Sequence, residues 1–237
     1  MAPYRKLRET LGLRKKGAPA APVRRATAEY HLHNELLNRS VATSADFIQP
    51  QLSDALIFAD AGEIRQYAFK SAPPEGLLLE FGVYTGGSIN QFSRNLAERN
   101  DTRHIHGFDA FLGLSEKWAG HSYDKMDRFN RGGQAPEVGT NVKLVKGWID
   151  DTLPPFLERN RGPVAFVHID TDTYSPCKTI LTACRDRMIS GTIILFDDMF
   201  CYPGWQHGEF KALVECLDPS EYTWSAFAGH CAMIIIK

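Results

Sequence analysis

Beyond residue 76 the chain alternates between two patterns. Short runs that are apolar at nearly every position give way to stretches whose apolar residues recur every third or fourth position. Leu77-Leu78-Leu79-Glu80-Phe81-Gly82 is the first such run, and Ile89, Phe92 and Leu96 follow it at helical spacing. His104 to Asp109, Val142 to Lys146, Val164 to Ile169 and Thr192 to Phe196 read as further strands. Cys177, Ile180, Leu181, Cys184 and Met188 mark one helix face, and Phe210, Leu213, Val214 and Leu217 another. Tyr222 to Phe227 and Ala232 to Ile236 close the chain as a predicted hairpin. Strands apolar on both faces and separated by helices predict an α/β fold: a mainly parallel sheet covered on both sides.

Ahead of this region the pattern is helical and amphipathic from about Glu29 to Lys70, with Ser53 as the expected N-cap and Leu56, Ile57, Ile64, Tyr67 and Ala68 on one face. Pro73-Pro74-Glu75-Gly76 ends it. Residues 1–28 are basic and read as a disordered tail, with an organelle transit peptide as the alternative. The expected organisation is therefore a tail at 1–28, a helical lid or extension at 29–75, and one α/β domain at 76–237.

Composition adds mostly exclusions. A formal charge of −1 gives no electrostatic case for nucleic acid, and no apolar run reaches the roughly 20 residues of a membrane span. Five scattered cysteines without a C-x-x-C pair suit a reducing, cytoplasmic setting rather than a disulfide framework or a zinc site.

The chemistry gathers where the predicted strands end. In an open parallel sheet ligands bind outside the carboxyl ends of the strands, and here those ends carry Glu80 to Gly87, Asp109, Gly147 to Asp151, Asp170 to Asp172, and Asp197-Asp198. Gly82, Gly86 and Gly87 permit a tight turn into a helix beginning near Ser88, whose free N–H groups face an anion. A dinucleotide fingerprint would have glycines where this chain has Glu80 and Thr85. An amino-acid-bearing ligand fits better, its carboxylate at the helix start and its ammonium near Glu80. Asp109 has the spacing of a ribose partner, and Gly147, Trp148 and Asp150 could bound an adenine.

Asp170, Asp172, Asp197 and Asp198 follow two neighbouring strands and would repel one another without a cation, which points to Mg2+ or another divalent ion. Such a cation could orient a substrate hydroxyl toward a methyl donor, with a remaining carboxylate taking the proton. His168 reads as a buried core histidine, and His207 as the histidine best placed to meet substrate.

Four segments together resemble the macrocin O-methyltransferase family: Leu79 to Ser88, His106 to Leu114, His168 to Tyr174, and Phe196 to Met199 with Pro203-Gly204-Trp205. The resemblance implies a Rossmann-like class I methyltransferase fold with a seven-stranded sheet, and S-adenosylmethionine as cofactor. It implies that the first segment holds the methionine part (Glu80, Gly82, Tyr84, Thr85, Gly86 and Ser88), that Asp109 holds the ribose, and that Asp170 adjoins the cofactor. It gives the metal to Asp170, Asp197 and Asp198, and the proton to Asp172. The acceptor would be a hydroxyl of a sugar, a phenolic natural product or a glycan, and the N-terminal helices could form a lid or a homodimer contact. The alternatives are a metal-independent methyltransferase and a nicotinamide- or nucleotide-sugar-dependent oxidoreductase.

Overall fold

A computed structural model describes residues 23–121 and 125–237. The part of the basic tail at 1–22 lies outside the described residues; helix α1 (Val23–Ile48) takes in the rest. The chain divides into two compact units, Met1–Leu36 and Leu37–Lys237. In the first, the described residues are the opening turns of α1.

The second unit is built on one eight-stranded sheet. Its strands are β1 (Leu56–Ile57), β2 (Leu77–Phe81), β3 (Ile105–Asp109), β4 (Val142–Lys146), β5 (Val164–Ile169), β6 (Met188–Phe196), β7 (Tyr222–Ala228) and β8 (Cys231–Ile236), in the order β1-β7-β8-β6-β5-β2-β3-β4. All neighbours pair parallel except β8, which runs antiparallel to both β6 and β7. The chain winds outward from β2 through β3 to β4, then crosses back to β5 on the other side of β2. That reversal opens a crevice at the carboxyl ends of β2 and β5.

Alternation along the strands divides the core between the two faces. Leu79, Phe81, Val167, Ile169, Ile194 and Phe196 face helices α5 (Ile149–Arg159), α6 (Tyr174–Cys184) and α7 (Glu209–Cys216). Leu78, Phe166, Ile193 and Leu195 face α2 (Ala61–Ser71) and α3 (Gly87–Glu98). A short helix, α4 (Lys125–Arg128), lies in the loop after β3.

Three expectations are corrected. The sheet has eight strands, not seven, because Leu56 and Ile57 form an edge strand beside Ala226 and Phe227 instead of continuing a helix. Both are exposed, so the apolar spacing that suggested a helix face there marks a sheet edge. The N-cap is Asp60, whose carboxylate accepts the Glu63 N–H at 3.0 Å, and not Ser53. In α7 the buried face is Glu209, Ala212 and Leu213, while Val214 is exposed. No helix among the described residues is long and apolar enough to cross a membrane.

Candidate active site

The turn after β2 is shaped by contact with the end of β5. Gly82 adopts φ +88°, and a Cβ there would lie 1.8 Å from the Asp170 carbonyl oxygen, so no other residue fits. The Gly82 N–H donates to Phe108 O and the Asp170 N–H to Phe81 O, which extends the parallel pairing past the strand ends. Non-glycine residues in the left-handed region cluster at these ends: Tyr84 after β2, Phe111 after β3, Asp172 after β5 and Cys201 after β6. Each costs about 1–3 kcal/mol, and such strain gathers where a site over-determines the backbone.

Asp109 ties the turn to the end of β3. Its Oδ2 accepts the Val83 and Tyr84 N–H groups at 2.9 and 2.8 Å, and its Oδ1 accepts Phe111 N–H at 2.6 Å. Asp109→Ala removes the acceptor for all three donors and is expected to destabilise the fold by about 1–3 kcal/mol, read as a lower urea midpoint. An unchanged midpoint would mean that water replaces the carboxylate at no cost.

A cavity of about 180 Å3 lies at the crevice. Of the residues expected to hold a cofactor, Gly82, Tyr84, Asp109, Gly147, Trp148, Asp150 and Asp170 line it, and Asp172 does too. The sequence reading missed part of the wall: Phe108 below, Leu114 and Phe129 from the loop after β3, and Pro176 of α6. Phe129 stands edge-on to the Tyr84 ring at 5.4 Å, an apolar boundary that loop composition alone does not announce.

Glu80, Thr85, Gly86 and Ser88 do not line this cavity. Glu80 is fully buried on the α2–α3 side of the sheet, where its Oε1 accepts the Ser88 hydroxyl at 2.7 Å. Its Oε2 lies 3.8 Å from His168 Nδ1, and His168 Nε2 lies 3.5 Å from Asp197 Oδ1. Arg65 of α2 meets that same oxygen at 2.6 Å. A buried chain of alternating charge, Glu80–His168–Asp197–Arg65, thus crosses three strands. Burial acts to lower the His168 pKa, but Asp197 and Glu80 outweigh it and push it up to about 10. Burial likewise acts to raise Asp197, yet His168 and Arg65 hold it below the ordinary carboxylate range. Glu80 in this geometry is a partner of Ser88 and His168 and does not line the cavity. Pattern hid this because the four residues lie on separate elements.

The carboxylates that converge, with one oxygen each within 4.8 Å of the others, are Asp170, Asp172 and Asp198. Asp197, the third ligand implied by the resemblance, belongs instead to a grouping with His168 and Asp170 and is already paired with Arg65. Burial, and then the neighbouring acids, raises Asp170 and Asp172 well above their usual range and pushes Asp198 up to about 6. Three hard oxygen donors whose charge is unfavourable without a counter-ion fit a divalent cation.

Glu209, which the sequence reading passed over, organises this group from beneath. It is fully buried; its Oε1 accepts Thr171 N–H at 3.2 Å and its Oε2 accepts Asp198 N–H at 3.3 Å. The available signal was an acid three and four positions before Ala212 and Leu213 on the apolar face of α7. His207 is exposed on a short 3-10 turn and lines neither this cavity nor the one beside Asp198.

A family model described as a methyltransferase domain matches residues 79–199, more than half of the chain. No curated protein matches it. Among solved structures, the calicheamicin methyltransferase CalS11 is 21% identical with a TM-score of 0.58, covering 88% of this chain and 91% of its own. The O-methyltransferase NovP is 20% identical with a TM-score of 0.59, covering 74% and 79%. At these identities the likeness is one of fold.

Proposed function

The chain belongs to the methyltransferase-domain family, and on that premise we propose that it transfers the methyl group of S-adenosylmethionine to a hydroxyl oxygen with the help of a divalent cation. The observation that carries this reading is the junction of the glycine-turn cavity with the convergence of Asp170, Asp172 and Asp198.

The cavity wall supplies what such a cofactor needs. Asp109 would take a ribose hydroxyl on Oδ1, which accepts one backbone N–H and keeps a lone pair, whereas Oδ2 already accepts two. Trp148, Ile149 and Asp150 would bound the adenine, and Gly82 admits the chain of the cofactor close to the backbone. Asp170 and Asp198 would hold the cation, which when bound polarises the acceptor hydroxyl. Asp172 stands beside them to accept the hydroxyl proton. Sulfonium is a good leaving group already, so most of the catalysis would come from positioning. Of the neighbours named above, CalS11 is described as a TDP-rhamnose 3'-O-methyltransferase and NovP as an O-methyltransferase, which supports oxygen as the accepting atom.

S-adenosylhomocysteine at about 100 times its dissociation constant is expected to stabilise the protein by roughly 2.7 kcal/mol in thermal denaturation, and NAD+ to leave the midpoint unchanged. Stabilisation by NAD+ and none by S-adenosylhomocysteine would replace this reading with that of an oxidoreductase.

A further inference from the structure

A second cavity, of about 210 Å3, lies beside the carboxylate group. Asp170 and Asp172 line the first cavity and Asp198 the second, so both cavities adjoin the one group of converging carboxylates. The second cavity is walled by the link ahead of α2, the end of β6 and the β7–β8 turn. We propose that it receives the methyl acceptor and that its charge selects an uncharged or cationic hydroxyl compound over an anionic one. The inference rests on the methyl-transfer reading above.

Two reactants that meet at one catalytic group need separate compartments opening on that group, and this pair provides them. The two walls differ in kind. The first carries Phe108, Phe129 and Trp148, surfaces for a flat heterocycle. Among the described residues the second has no Phe, Tyr or Trp ring; its uncharged lining is alanine, glycine and Cys231, which leaves a planar phenol only the His230 imidazole as a flat surface. Its polar lining is Asp60, Asp197, Asp198 and His230. Arg65 neutralises Asp197 at 2.6 Å and the cation would take up the charge of Asp198, which leaves the Asp60 carboxylate to set the sign of the field. That group accepts hydrogen bonds from hydroxyl or ammonium donors and repels a carboxylate or phosphate.

Two of these residues are held for the task. His230 Nδ1 lies 2.7 Å from the Phe200 carbonyl oxygen, a bond in which the ring donates, so Nε2 is the acceptor available to a ligand hydroxyl. Asp60 caps α2 through Oδ1, which leaves Oδ2 for the cavity. Asparagine caps a helix as well as aspartate does, so Asp60→Asn removes the charge and keeps the fold.

Saturation-transfer NMR on the full chain with S-adenosylhomocysteine and Mg2+ tests the proposal. The probes are methyl α-glucopyranoside, its 2-amino and uronic acid counterparts, and catechol. The neutral and amino glycosides are expected to bind at least about fivefold more tightly than the uronate, and Asp60→Asn to shrink that preference about threefold, as one partly solvated charge would. Ala59 is exposed at the cavity wall, so Ala59→Trp should fold normally, abolish binding of every glycoside and leave affinity for S-adenosylhomocysteine unchanged. A uronate bound as tightly as the neutral glycoside, catechol bound in preference, glycoside binding that survives Ala59→Trp, or no glycoside bound at millimolar concentration would each overturn the inference. Failure of S-adenosylhomocysteine itself to bind would instead overturn the methyl-transfer reading.

Discussion

Asp198→Asn and Asp170→Asn are expected to lower methyl transfer by about two to four orders of magnitude, the range spanned by losing a metal's polarisation or a positioned base. Both substitutions keep the shape of the side chain and remove an anionic oxygen from a set that lies within 4.8 Å. Isothermal titration with Mn2+ should show the cause directly, as an affinity loss that precedes any question of turnover. Asp197→Asn provides the contrast: its Oδ1 is engaged by Arg65 and His168, so its main effect should fall on stability and not on Mn2+ affinity. Full turnover in excess chelator, or Mn2+ affinity unaltered in the Asp198 and Asp170 variants, would remove the cation from the mechanism and favour a metal-independent methyltransferase.

His168→Leu should give the largest loss of stability. The leucine fits the space of the imidazole, but Glu80 and Asp197 would lose the cation between them. Breaking a buried ion pair by removing one partner costs about 3–5 kcal/mol. For a domain of this size each kcal/mol moves the melting temperature by about 2–4 °C, so a drop of roughly 6–20 °C is expected. The pH dependence carries an independent signature. The folded protein holds the His168 proton more tightly than the unfolded chain does, so the stability it contributes is complete below its ordinary pKa of 6.5 and is lost as pH rises through about 10. The wild type should therefore lose stability over that alkaline range more steeply than His168→Leu. Parallel curves for the two proteins would show that the imidazole is buried neutral.

The fold was largely legible from the chain alone. Strands β2 and β5 and the second half of β6 are buried on both faces, so their sequences are continuous apolar runs, whereas β4 lies at the sheet edge and carries exposed lysines. The helical spacing of Ile89, Phe92 and Leu96 or of Cys177, Ile180, Leu181 and Cys184 matches their buried faces, while Met188, read onto the second of these, opens β6 instead. The ends of those strands told where polar chemistry gathers, because in a sheet covered on both faces the acidic and glycine residues are concentrated where the chain leaves it. Gly82 and Asp109 were identifiable for that reason, one by the turn it permits and the other by its position at a strand terminus.

Which carboxylates serve which purpose was decided only in three dimensions. Glu80, His168, Asp197 and Arg65 lie on β2, on β5, just past β6 and on α2, and nothing in their local sequence distinguishes a ligand's partner from a member of a buried ion chain. Parallel register puts Glu80 directly beside His168, and the ion pair with Arg65 sets Asp197 apart from the group that Asp170, Asp172 and Asp198 form. The same holds for Glu209, whose role depends on two loop N–H groups far away in sequence. Periodicity reports which way a side chain faces from its own element. The sign and strength of the field it meets there depend on charges delivered by other elements, and only packing brings those together.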